Sequence, residues 1–223
     1  FGEIPVGDGI MSVNACLLLA LLLRRAVLRR EVPAPGFLMV IPGFVSVLIG
    51  LGLASMNRRY QWGHEADLLV RLLLYHGFVL LCLLGAGGFL LPRFLRLGLR
   101  RMYGGEKEGN PIWRRSAWIT LLIGFSIMGS YIVDMIGYSH VGASLRAALV
   151  VAYLAWEMPL ERIRISFTGV DWILVFGLAC LPVGILIAGW FPGFRVGLSH
   201  LELAAGVGLI TLGIATRVVF GHT

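Results

Sequence analysis

The sequence predicts an all-α membrane protein, a polytopic bundle of about seven transmembrane helices. Hydrophobic residues make up 58% of the 223 residues and charged residues only 14%, whereas a soluble domain usually carries about 25% charge. Several apolar windows of roughly 20 residues are long enough to cross a hydrocarbon core of about 30 Å. Thirty glycines suit the close packing of membrane helices. We therefore expect residues 1–223 to form a single transmembrane domain.

The apolar runs predict seven spans, and charged residues are concentrated in the gaps between them. The first span is short for a complete crossing, whereas the others have the length that a membrane helix needs at 1.5 Å per residue. The predicted spans are residues 10–23, 36–56, 68–91, 117–138, 141–156, 170–190 and 199–220.

The basic residues predict the orientation. With the N-terminus outside and the C-terminus inside, thirteen Lys and Arg residues fall in inner loops and three in outer loops. Cytoplasmic loops of membrane proteins carry such an excess. The outer three are Arg58, Arg59 and Arg195.

The net charge of +7 does not indicate nucleic-acid binding, because the basic residues lie in the gaps between apolar segments. The sequence has no HExxH, P-loop or GxSxG motif and no zinc-type Cys/His spacing. Hydrolytic and nucleotide-driven chemistry are therefore disfavoured, and whether the chain is an enzyme stays open.

Three histidines, His64, His140 and His200, are predicted to lie at the level of the outer interface, in loops or at a span end. Neutral imidazole is the commonest metal ligand, so a copper or zinc site at this level is one interpretation. The simpler interpretation is that these histidines are solvated loop residues.

His76 is predicted to lie about 12 Å deep in the third span. Its depth and that of His200 differ by about 10 Å, which disfavours a haem held by both but leaves a single-ligand haem open. Arg71 and Glu202 are predicted at the outer ends of their spans, where either could snorkel to the headgroups. Arg71 is a candidate partner for a haem propionate or another anion.

Asp134 and Arg146 are predicted to pair. The short turn between the fourth and fifth spans makes these helices neighbours and places both charges at similar depth. A charge alone in lipid costs several kcal/mol, which pairing offsets. A structural ion pair is the first interpretation, and a proton or substrate route is the second.

The C-terminal segment SHLELAAGVGLITLGIATRVVFGHT resembles the end of the NnrS family, whose last motif reads approximately H-x-x-x-x-G-x-x-G, an apolar run and T-R-x-x-x-G-H-T. Two further segments, LLGAGGFLLPRFLR and DWILVFGLACLPVG, are similar to the family patterns GGRxxPxFT and LWxLHxGY. The resemblance runs from about Val32 to Thr223. The motif residues carried over are His200, Gly206, Gly208, Thr216, Arg217, Gly221, His222 and Thr223.

The resemblance implies a bacterial inner-membrane protein that binds haem b or copper and is linked to denitrification, nitric oxide stress or respiratory metabolism. Family members have about twelve spans, so we expect this chain to correspond to the C-terminal half, with an incomplete N-terminus. Lipid and other membrane subunits are the expected partners. If the cofactor is kept, we expect its site at the outer face, with His200 as a ligand and with His64, His76 or His140 as candidate ligands beside it. His222 is expected to cap the last helix.

Two positions depart from the family patterns. Phe89 stands where the family has an arginine, and Val175 stands where LWxLHxGY places a histidine. These departures support an alternative without cofactor, namely a structural subunit of a larger membrane complex. A small transporter is a third hypothesis, but we find no convincing internal repeat.

Overall fold

The computed structural model describes residues 4–28, 33–95, 97, 111–158 and 169–220, and these form seven helices with no strand. Two of the helices contain π-helical segments, Leu72–Gly77 in α3 and Leu201–Gly208 in α7, and α2 begins with a 3₁₀ turn, Pro35–Met39. The helices are α1 (Ile4–Leu28), α2 (Pro35–Tyr60), α3 (His64–Phe94), α4 (Pro111–Met135), α5 (Ser139–Glu157), α6 (Gly169–Trp190) and α7 (Arg195–His200, Leu201–Gly208 and Leu209–Phe220).

The all-α membrane bundle predicted from the sequence is confirmed. Each of the seven helices coincides with one predicted span, and α1 is longer than its span of residues 10–23. Five stretches within the described residues are long and apolar enough to cross a membrane: Pro35–Tyr60, His64–Phe94, Pro111–Met135, Asp171–Trp190 and Pro192–Val219. The orientation of the bundle stays a prediction.

The core lies between helices α2 to α7, where apolar side chains from all six helices meet. Tyr131 of α4 and Tyr153 of α5 are fully buried in it. Tyr153 donates a hydrogen bond to the Leu84 carbonyl of α3 at 3.2 Å, so a polar group is satisfied inside an apolar core.

Helix α1 packs on the edge of this core. Of its side chains that the structure describes, Ala15 alone is buried, against Phe44, Val47 and Leu51 of α2. Most of its other large apolar side chains are exposed, as expected for a helix that faces lipid. Exposed tryptophans at helix ends suit the membrane interface; they are Trp62, Trp118, Trp172 and Trp190.

The turn between α4 and α5 sets two candidate site residues opposite each other. Gly137 adopts φ +97° there, a conformation that residues with a Cβ rarely adopt. Gly142 then brings α5 against α4 so closely that a Cβ at this position would lie 2.8 Å from the Ser130 carbonyl oxygen. This close antiparallel packing faces Arg146 toward Asp134.

Candidate functional site

A histidine and a glutamate from distant parts of the chain meet inside the bundle. His76 Nδ1 lies 2.9 Å from Glu202 Oε2. The His76 side chain is 16% exposed and the Glu202 side chain 3%. His76 lies in the π-helical segment of α3, and Glu202 lies in that of α7. Because π-helical turns within α-helices occur frequently at functional sites, this pair is the candidate centre.

Local packing accommodates the π-helical segments of the two helices. Leu73 O accepts a backbone hydrogen bond from Phe78, the five-residue spacing of a π-helix, and a second one from Ser46 Oγ of α2 at 2.9 Å. Gly77 leaves room for that hydroxyl, since a Cβ there would lie 2.3 Å from it. In α6, a Cβ on Gly184 would lie 2.6 Å from the Glu202 backbone nitrogen, so only glycine permits this approach of α6 to α7.

The geometry of the pair is that of a carboxylate that orients an imidazole. An ionised Glu202 accepts a hydrogen bond from His76 Nδ1, which leaves Nε2 as the second ring nitrogen for another ligand. Histidines that bind metals or haem iron are commonly fixed in this way by a carboxylate or carbonyl.

The expectation that Glu202 snorkels to the headgroups is wrong, because the residue is 2% exposed. The depths estimated from the sequence assume a regular α-helix with 1.5 Å per residue and ignore the length of the side chains. They therefore place His76 and Glu202 at different depths, although their side chains are in contact.

A second buried cluster surrounds Asp134 of α4. Arg146 Nη2 donates to Asp134 Oδ2 at 2.7 Å, which is the ion pair expected from the sequence. Arg146 Nη1 also donates to Ser130 Oγ at 3.1 Å, and its guanidinium carbon lies 4.5 Å from the Tyr131 ring centroid. Asp134 and Arg146 are 1% and 5% exposed.

Arg195 of α7 is a third member of this cluster that the sequence analysis missed. Its Nη2 lies 3.2 Å from Asp134 Oδ1, and its side chain is 19% exposed. The positive-inside count placed Arg195 in an outer loop, and nothing in the local sequence of α7 points to α4. One carboxylate thus holds two guanidinium groups from different helices.

The three outer histidines are all exposed, and the structure does not gather them into one site. His64 begins α3, and the His140 ring lies 6.2 Å from the Trp190 ring. Among the residues that the structure describes, no group of three or more His, Cys, Asp or Glu side chains could hold a metal ion. A metal bound by fewer of these histidines stays a prediction.

His200 has one ring nitrogen fixed by the backbone. Its Nδ1 lies 2.8 Å from the Val196 carbonyl oxygen, one turn earlier in the same helix. A carbonyl can only accept, so Nδ1 carries the proton and Nε2 of the neutral ring is free to bind a ligand.

Arg71 is 66% exposed and pairs with Asp67 of its own helix at 2.7 Å, so its role toward an anionic cofactor stays a prediction. Arg217 of α7 forms an ion pair with Asp171 at the start of α6. Arg217 stands out in the sequence through its motif, whereas no local pattern points to Asp171 as its partner. His222, expected to cap the last helix, lies outside the described residues.

The chain matches the model of the NnrS protein family over residues 9–223. It belongs to the NnrS family. The match begins before Val32, where the recognisable motifs start. It therefore covers nearly the whole chain of this NnrS-family membrane protein and is not confined to the C-terminal motifs. No curated protein and no solved structure matches it.

Proposed function

We propose that this NnrS-family protein binds haem through His76 and serves nitrogen-oxide or respiratory metabolism in the bacterial inner membrane. The observation that carries the proposal is the hydrogen bond between His76 and Glu202, inside the bundle and between two π-helical segments. When bound, haem would supply an iron that binds a diatomic nitrogen oxide or exchanges an electron.

The residues present fit a haem better than a copper ion. Haem needs only one axial ligand from the protein, and His76 offers Nε2 while Glu202 fixes its other nitrogen. A protein copper site usually needs several ligands, and no three-ligand group occurs in the described part of the chain. His200, with Nε2 free, is the second candidate for either cofactor.

The chain's own residues would position the cofactor. Glu202 keeps the His76 ring in one orientation and makes its Nε2 more basic. Bulk solvent is kept away from the segment by burial, since Leu72, Leu73 and Gly77 of the same π-helical segment are all buried. Ser46 holds the segment in place through the Leu73 carbonyl.

A cofactor-free structural subunit is the second candidate, and the environment of Phe89 favours it. Phe89 stands where the family pattern has an arginine. The centroid of its ring lies 5.6 Å from that of Phe37, and the Arg93 guanidinium carbon lies 3.9 Å from the Phe89 ring centroid in a cation–π contact. Phe89 thus contributes to the packing of α2 against α3. The exposed apolar face of α1 would suit either lipid or another membrane subunit.

The deciding experiment is an optical spectrum with metal analysis of the full chain, purified in detergent from cells supplied with haem and copper. We expect a Soret band in the parent protein that His76→Ala removes. The matched control, His64→Ala, should keep it, because His64 is exposed at the start of α3.

Other outcomes discriminate between the alternatives. Loss of the band in His200→Ala but not in His76→Ala would move the ligand to α7, and His222→Ala serves as its control. A parent protein with neither haem nor copper that co-purifies with other membrane subunits would overturn the proposal and support the structural subunit.

A further inference from the structure

Two buried polar atoms near the candidate site lack a hydrogen-bond partner among the described protein groups. They are the Tyr131 hydroxyl oxygen and Glu202 Oε1. Tyr131 is 0% exposed and Glu202 is 2% exposed. A buried polar group without a partner is costly, so such groups in native proteins are nearly always paired with protein or with an ordered water.

The two atoms lie in the same region of the interior. A Cβ on Gly77 would lie 3.2 Å from Tyr131 Cε2, the ring carbon next to the one that carries the hydroxyl. Gly77 directly follows His76, whose ring contacts Glu202. The Tyr131 ring and Glu202 thus both lie beside the His76–Gly77 segment of α3.

A water molecule matches what these two atoms need. The Tyr131 hydroxyl can donate one hydrogen bond, and Glu202 Oε1 can accept one. A water between them accepts the first and donates the second, which satisfies both groups at once. The two atoms make no direct hydrogen bond to each other.

We propose that this chain binds one internal water molecule between Tyr131 and Glu202. The water links the two buried polar clusters, because the Tyr131 ring also lies against the Arg146 guanidinium of the Asp134 cluster. Helices α3, α4, α5 and α7 are then joined by one network of hydrogen bonds, ion pairs and the cation–π contact between Arg146 and Tyr131. The proposal goes beyond haem binding and does not depend on it.

The first test is Tyr131→Phe, which removes one oxygen and keeps the ring. If the hydroxyl holds a bound water, its loss leaves that water and Glu202 poorly paired, and the thermal unfolding midpoint falls. If the hydroxyl is unpaired, replacing it with an apolar hydrogen raises the midpoint or leaves it unchanged, which would overturn the proposal. Tyr75→Phe is the matched control, since Tyr75 is 61% exposed on α3.

The second test detects the water itself in the full-length protein. Infrared spectra in H₂¹⁶O and H₂¹⁸O should differ by an O–H stretching band of a strongly bonded internal water. We expect Tyr131→Phe and Glu202→Gln each to remove or shift this band and Tyr75→Phe to keep it. A lowered midpoint without any ¹⁸O-sensitive band would indicate a direct bond between tyrosine and glutamate and would overturn the water site. Failure of the water site would not bear on the proposal that His76 binds haem, which is tested separately by the optical spectrum.

Discussion

His76 and Glu202 are 126 residues apart in the sequence, and their side chains meet at 2.9 Å where α3 and α7 both become π-helical. π-helical turns are rare within α-helices and frequently lie at functional sites. Here it allows a nearly fully buried carboxylate to face an imidazole. The contact ties the first half of one long membrane helix to the first half of another.

The first prediction concerns the buried carboxylate that this contact stabilises. His76→Ala leaves the buried Glu202 Oε2 without its hydrogen-bond donor, so we expect a loss of about 1.5–3 kcal/mol in the free energy of unfolding. Adding Glu202→Gln should restore part of that loss, because the second substitution removes the stranded charge. Unfolding in detergent, followed by circular dichroism, measures both. A double variant less stable than His76→Ala would show that the charge is not the source of the loss.

The second prediction concerns Asp134 and its two arginines. Asp134→Ala should cost about 3–5 kcal/mol, because it leaves Arg146 buried and unpaired. The double variant Asp134→Ala/Arg146→Ala should be more stable than the single one. Arg195→Ala is the matched control: its side chain is 19% exposed and its loss leaves the inner pair intact, so its effect should be smaller. Equal losses in Arg195→Ala and Asp134→Ala would contradict this ranking.

The helices could be predicted from the sequence because the membrane imposes a simple rule. A run of apolar residues long enough to cross must satisfy its backbone within itself, so hydropathy alone places the helices. The Asp134–Arg146 pair could also be predicted, since the turn at Gly137 is too short to separate α4 from α5.

The contacts between distant helices could not be predicted. Arg195 of α7 contacts Asp134 of α4, and Glu202 of α7 contacts His76 of α3. No local sequence pattern shows that α7 is a neighbour of α3 and α4. Hydropathy gives no side-chain direction, and a π-helical turn changes the register of every residue after it. The glycines that permit these contacts, Gly77 and Gly184, look in the sequence like any other small residue of a membrane helix.

The third prediction is the orientation in the membrane. In a background without native cysteines, a membrane-impermeant thiol reagent added from the periplasm should label Gln61→Cys and spare Gly105→Cys. Gln61 is exposed at the turn between α2 and α3, and residue 105 lies in the most basic predicted inner loop. Labelling of both positions only after the membrane is permeabilised would point to poor access at Gln61, and the reverse labelling pattern would contradict the orientation.

The fourth prediction concerns the contact between α5 and α6. A Cβ on Gly189 would lie 2.0 Å from Ala143 Cβ and 2.9 Å from the Ser139 carbonyl oxygen, so Gly189→Ala must push the two helices apart. We expect a loss of about 1–3 kcal/mol in the free energy of unfolding, the usual cost of overpacking. Gly129→Ala is the matched control: it has nothing within 4 Å, and removing a helical glycine should stabilise the protein by about 0.5–1 kcal/mol. The compensating variant Ala143→Gly/Gly189→Ala should recover part of the loss, because it removes the closer of the two clashes. If both glycine variants unfolded like the parent protein, α5 and α6 would not pack at this distance.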